Sequence, residues 1–193
     1  MGILGRLFSR NSEAGKPQPR DSTGGSAKAW CDSGRSKLTN GNAKGAIPDF
    51  TRAIEADPND DYAYSARGFA YGMLEKHKLA IRDLTKAIEL EPRGSLTYHW
   101  RAESRRHLRR GDLRERIDDY SKAIELDPGL AEAYLWRGWT YSLRGLALGI
   151  ESDFRRALSD CEKFLELAPD HPNAAECREK MAVLKTKLGE STP

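Results

Sequence analysis

Four proline-closed phrases recur along this chain at a nearly constant interval, and that period restricts the fold more than any other feature of the sequence. They are AIPDFTRAIEADP ending at Pro58, AIRDLTKAIELEP at Pro92, RIDDYSKAIELDP at Pro128 and ALSDCEKFLELAP at Pro169, spaced by 34, 36 and 41 residues. A second phrase precedes each: AWCDSGRS, AYSARGFAY, TYHWRAESR and AYLWRGWTY. In the Pro92 phrase, Ala80, Ile81, Leu84, Ala87, Ile88 and Leu90 fall mostly three or four apart, the spacing of one helical face. The closing proline cannot continue a helix, so the chain turns there. Tyr64, Gly68 and Tyr71 show the same spacing in the preceding phrase, and Gly41 with Asn42, or Gly111 with Asp112, supply turns between the two. Each unit therefore reads as helix, turn, helix, turn. One such unit cannot hide its apolar face; a stack can.

Composition fits an elongated stack. Of the 193 residues, 38% are hydrophobic and 32% charged, which is lean for one compact core. The net charge is +3, a smaller excess than a nucleic-acid binder usually carries. Cys31, Cys161 and Cys177 form no CxxC pair and read as reduced, mostly buried residues of a cytosolic protein. No apolar run is long enough to span a bilayer, and MGILGRLFSR lacks the features of a secretion signal, so the expected compartment is the cytoplasm. Residues 1–26 are expected to be a disordered tail, because Asn11 to Ser26 is rich in Gly, Ser, Pro and charge. Within it, Ile3, Leu4, Leu7 and Phe8 with Arg6 and Arg10 fit one face of a short helix that could touch a membrane surface or a partner; the plainer alternative is a frayed terminus.

The repeated residues resemble the tetratricopeptide repeat (TPR) pattern. That signature places an aromatic, a small residue and an aromatic on the first helix, then alanine, aromatic, alanine and proline on the second. The first repeat supplies Trp30, Gly34, Ala46, Phe50, Ala53 and Pro58; the second Tyr64, Gly68, Tyr71, Ala80, Leu84, Ala87 and Pro92. The third has Tyr98, Ala102, Tyr120, Ala123 and Pro128; the fourth Tyr134, Gly138, Tyr141, Ala157 and Pro169, with Cys161 and Phe164 at second-helix positions. The resemblance implies an all-α, right-handed superhelical solenoid of four helix-turn-helix hairpins, at about residues 27–60, 61–94, 95–130 and 131–171. A capping helix at 172–189 follows, begun at Pro172 and ended by Gly189, with an apolar stripe of Ala175, Met181, Val183, Leu184 and Leu188; residues 190–193 are expected to be disordered. Gly34, Gly68, Ala102 and Gly138 lack bulk, so the second helix of each hairpin can come close. Arg116 departs from the pattern at an alanine position and Arg105 at an aromatic one. Pro48 suggests a late start near Ile47 or a bend, and the extra residues between Ser142 and Phe154 either lengthen two helices or form a loop.

Asp49, Asp83, Asp119 and Asp160 recur once per repeat, as do Arg67, Arg101 and Arg137. Carboxylates a full repeat apart line up instead of converging, so Arg–Asp pairing is expected, not acid–base chemistry. His77, His99, His107 and His171 lack zinc-like spacing, although His99 and His107 could share a helix face. There is no phosphate-binding glycine loop and no GxSxG elbow. Cys161 occupies a core position. No catalytic residue, cofactor or metal is expected, and no small-molecule substrate.

Arg101, Arg105, Arg106, Arg109, Arg110, Arg114 and Arg116 crowd one stretch, opposed by Glu103, Asp112 and Glu115. This is either a solvated face, a dock for an acidic peptide centred on Arg105, Arg106, Arg109 and Arg110, or a site for RNA or phospholipid. The absence of interleaved aromatics weighs against RNA. The resemblance implies that first helices line a concave groove, with Arg35, Phe69, Met73, His99, Glu103, Arg106, Leu135 and Trp139 facing it. Phe69, Met73 and Trp139 are either anchors for a peptide or packing residues. Some TPR proteins clamp the carboxylate tail of cytosolic chaperones with Lys, Asn and Arg; here those places hold Cys31, Arg35, Ala66, Leu96 and Trp100, so that ligand is not expected. The function implied is a non-catalytic scaffold or adaptor for a protein or peptide partner. The alternatives are a self-associating structural oligomer and a basic RNA- or membrane-surface binder.

Overall fold

The computed structural model describes residues 26–108 and 112–189, which form nine α-helices. They are α1 (Ala27–Thr39), α2 (Ala43–Ala56), α3 (Asp61–Met73), α4 (His77–Leu90), α5 (Ser95–Arg106), α6 (Leu113–Leu126), α7 (Ala131–Leu148), α8 (Glu151–Leu167) and α9 (Ala174–Lys187). The side chains of Ser26, Asn42, Asp60 and Asp112 accept from backbone N–H groups of the first turns of α1, α2, α3 and α6. At the other ends, α2, α4, α6 and α8 each stop two residues before Pro58, Pro92, Pro128 and Pro169. Asp57, Glu91 and Asp127, directly before three of these prolines, are extended, as a pre-proline residue prefers.

The chain divides into two compact units, Met1–Ser104 and Arg105–Pro193. In the first, α1 pairs with α2, α3 pairs with α4, and α2 also lies against α3. Leu38, Phe50 and the alanines of α2 and α3 form one core; Ala80 and Leu84 of α4 form another with Trp100 of α5. The glycines mark the closest approaches. A Cβ at Gly34 would sit 2.8 Å from the Phe50 ring, and one at Gly68 2.7 Å from Leu84 Cγ. In the second unit α6 packs on α7, α7 on α8 and α8 on α9. Leu135, Cys161, Phe164 and Cys177 form its central core; Phe154, Ala157, Leu158 and Leu184 form a second. Each fully buried large side chain contributes roughly 1.5–3 kcal/mol.

Several local expectations are settled or corrected. Helix α2 begins at Ala43 and carries Pro48 inside it. The missing proline N–H orphans the carbonyl of Lys44, and both residues are exposed, so water can serve that carbonyl. The extra residues of the last hairpin lengthen its helices to 18 and 17 residues, against 12 to 14 in α1 to α6, with Gly149 left-handed between them. Helix α9 starts at Ala174, not at Pro172; its buried residues are Ala174, Cys177 and Leu184, while Ala175 and Val183 face solvent. His107 lies beyond the end of α5, so it shares no helix face with His99. The amphipathic residues Ile3, Leu4, Leu7 and Phe8, and residues 190–193, lie outside the described residues.

Candidate protein-binding surface

The recurring Arg and Asp residues hold helices together. Arg67 of α3 grips Asp83 of α4 with two hydrogen bonds of 2.6 and 3.2 Å, and its third nitrogen donates to Thr51 of α2 at 3.1 Å. Arg137 of α7 does the same with Asp160 of α8, at 2.9 and 2.7 Å, and with Ser121 of α6 at 3.1 Å. Arg101 of α5 donates to Thr85 of α4 at 3.2 Å. Each of these arginines also lies over the tyrosine three residues before it, 5.6 to 5.7 Å from ring centroids. Asp49 is held by Ser33 and Lys37 instead. The hydroxyls of Thr51, Thr85 and Ser121 are the partners that sequence reasoning missed, although they recur at one place in the phrases DFTRAI, DLTKAI and DYSKAI.

The arginine-rich stretch is dispersed among different tasks. Arg105 pairs with Asp119 and reaches Glu115. This accounts for an arginine at an aromatic position: it reaches across to a buried carboxylate of α6. Arg116 is buried and donates to Thr140 of α7 at 3.0 Å. Arg106 lies over the Trp136 ring of α7, 4.3 Å from its centroid. Arg114 is exposed. Arg109 and Arg110 lie outside the described residues.

The residues assigned to the groove separate by accessibility. His99 and Leu135 are interior, 2% and 0% exposed, Leu135 within the core formed with α8 and α9. Phe69 is half-buried, its ring 4.6 Å from that of Trp100. Met73, at the end of α3, is 45% exposed. Arg35 is partly exposed and bonds to Asp32 at 2.6 Å, and Glu103 is half-buried. Trp139 packs on the core formed by α7, α8 and α9, edge-on to Trp136 at 4.7 Å, with Lys180 of α9 3.8 Å above its ring. Trp136 and Lys180 escaped the sequence reasoning; two tryptophans three residues apart on one helix were the available signal.

At the positions where a chaperone tail would be clamped, Cys31, Ala66 and Trp100 are buried. The Cys31 thiol points to Asp60 at 3.4 Å, and burial, then the Asp60 charge, pushes it well above the ordinary thiol range. It therefore stays neutral. Among the described residues no group of three His, Cys, Asp or Glu side chains could hold a metal ion, and no helix is long and apolar enough to cross a membrane.

Tetratricopeptide repeat models match residues 27–60, 62–93 and 119–151. Among solved structures the chain is similar to the MamA protein, at 22% identity and a TM-score of 0.71, over 84% of this chain and 82% of that one. A second MamA, residue 41 to the end, from Desulfovibrio magneticus RS-1, gives 14% identity and a TM-score of 0.70 over 85% and 86% of the two chains. The first TPR of Spaghetti (RPAP3), bound to the HSP90 peptide SRMEEVD, gives 26% identity and a TM-score of 0.59 over 65% of this chain and 97% of that one. The MamA likenesses are ones of fold. No curated protein matches the chain.

Proposed function

The chain belongs to the tetratricopeptide repeat family, and on that premise we propose that it is a non-catalytic scaffold or adaptor that binds a peptide or protein segment along its first helices. In this reading the chain comprises four repeats, at about 27–60, 61–94, 95–130 and 131–171, with α9 closing the last. The observation that carries it is a contrast between two sets of first-helix residues. The family positions Gly34, Gly68 and Gly138 are buried against second helices, and Ala102 is buried as well. Arg35, Met73, Glu103, Arg106 and Trp139 stay at least partly accessible, and their residue types differ from repeat to repeat. Packing dictates the first set and leaves the second open to select a partner.

The RPAP3 domains bound to the HSP90 peptide show that this fold can hold a short acidic segment. A different ligand is favoured here, because Cys31, Ala66 and Trp100 are buried and neutral where cations would be needed. The test is affinity capture from native cytosol with wild type beside Met73→Asp and Arg106→Glu variants, each first shown to keep its helical circular dichroism. Arg106 serves better than Arg105, whose replacement would strand Asp119. A protein retained by wild type at moderate salt and lost from a folded variant is the expected result. Retention of nothing, or retention that depends on added RNA and collapses steeply with salt, would sink the adaptor reading.

A further inference from the structure

Trp136, Trp139, Leu143 and Leu146 follow one another on α7 at intervals of three, four and three residues, which keeps them on one side of the helix. The two tryptophans are half-buried, whereas Leu143 and Leu146 are 49% and 59% exposed. Leu143 stands where the ordinary first helix would end and Leu146 on the added length of the last hairpin, and that length is braced. A Cβ at Gly145 would lie 2.7 Å from the Phe154 ring of α8, so the two helices touch there. Arg144 of α7 grips Asp153 of α8 at 2.6 and 2.8 Å. The leucines are thus displayed on a fixed helix, where side-by-side exposed apolar residues point to a partner.

The flank of the row is cationic. Arg106 of α5 covers Trp136 and Lys180 of α9 covers Trp139. Lys180 also meets Glu176 of its own helix at 3.3 Å, a solvent-exposed pair of little strength. The α7 segment from Trp136 to Leu146, WRGWTYSLRGL, contains no acidic residue. We propose that this face of α7 docks an acidic amphipathic helix of a partner protein. Its apolar residues, at three- and four-residue spacing, lie on Leu143, Leu146 and the tryptophan pair, and its carboxylates face Arg106 and Lys180. A second copy of this chain is the poorer occupant, because it would bring a second Arg106 and a second Lys180 to the same seam. The proposal rests on the adaptor reading and specifies the partner's chemistry.

The probe is a synthetic heptad peptide with leucine at the two core positions and glutamate beside them, titrated against the full chain by fluorescence anisotropy, with a lysine-for-glutamate peptide as control. The glutamate peptide is expected to bind and the lysine peptide not. Leu143→Ser with Leu146→Ser, both exposed and so compatible with folding, should weaken binding at least about tenfold. Lys180→Glu should weaken the glutamate peptide and strengthen the lysine one. No binding by wild type, equal binding of both peptides, or unchanged binding by the leucine variant overturns the proposal. So does a dimer in sedimentation equilibrium that the leucine variant abolishes. If the peptide fails while a Met73-dependent partner is still captured, this site is wrong and the adaptor reading stands; if both fail, the adaptor reading falls too.

Discussion

Asp83 is almost completely buried, and its carboxylate is tolerable there because Arg67 meets it with two parallel bonds. The pair also joins three helices, since Arg67 reaches Thr51 as well. Asp83→Ala leaves a buried guanidinium uncompensated and is expected to cost about 3 kcal/mol, read from urea denaturation. Combining it with Arg67→Ala should cost clearly less than the sum of the two single changes. Asp153 gives a second test through pH. The hydrogen bonds from Arg144, together with the charges of Arg144 and Arg156, hold its carboxyl below the usual carboxylate range, against burial, which pushes it up. A depressed folded value means stability that is fully present above the unfolded carboxyl value of about 3.9 and lost as pH falls through the lower folded value. The denaturation midpoint of wild type should therefore drop more steeply below about pH 4 than that of Asp153→Asn, which should also be the less stable protein near neutrality. The recurrence of Arg and Asp made pairing legible in the sequence. The Arg144–Asp153 pair occurs once, so no repetition exposed it.

Helices were legible because their apolar period is local, and their ends because capping residues and prolines act within a turn. The turns show finer physics. Gly41 closes the turn between α1 and α2 in the left-handed region at φ 74°, and Glu75 takes the same place between α3 and α4 at φ 58°. A side chain there strains the backbone, whereas glycine does not. Glu75→Gly is expected to stabilise the protein by about 1 kcal/mol, measured as a rise in thermal midpoint, whereas Gly41→Glu should lower it. The long last hairpin was ambiguous in sequence, because Gly145 and Gly149 look alike as helix breakers. Packing separated them: Gly145 sits in α7 where Phe154 needs the space, and Gly149 ends the helix. Neither role follows from spacing alone, since each depends on where α8 lies.

At the scale of the whole molecule, the surface available to a partner is what remains after each unit has satisfied itself. A sequence rich in arginine suggested an open basic face. In the structure Arg105 meets Asp119, Arg116 is buried beside Thr140 and Arg106 covers an indole, while Arg114 stays exposed and Arg109 and Arg110 lie outside the described residues. The same process separated the residues assigned to the groove. Met73 stayed exposed, Phe69 turned onto Trp100, and His99 and Leu135 went inside. By itself the sequence determined the helical repeat, the hairpin turns and the glycine and alanine contacts, because these depend on neighbours a turn or one repeat away. Only the tertiary structure decided which side chains remain accessible and that Leu143 and Leu146 stand exposed beside capped tryptophans. Exposure is set by every helix around a residue at once, and no local period encodes that sum.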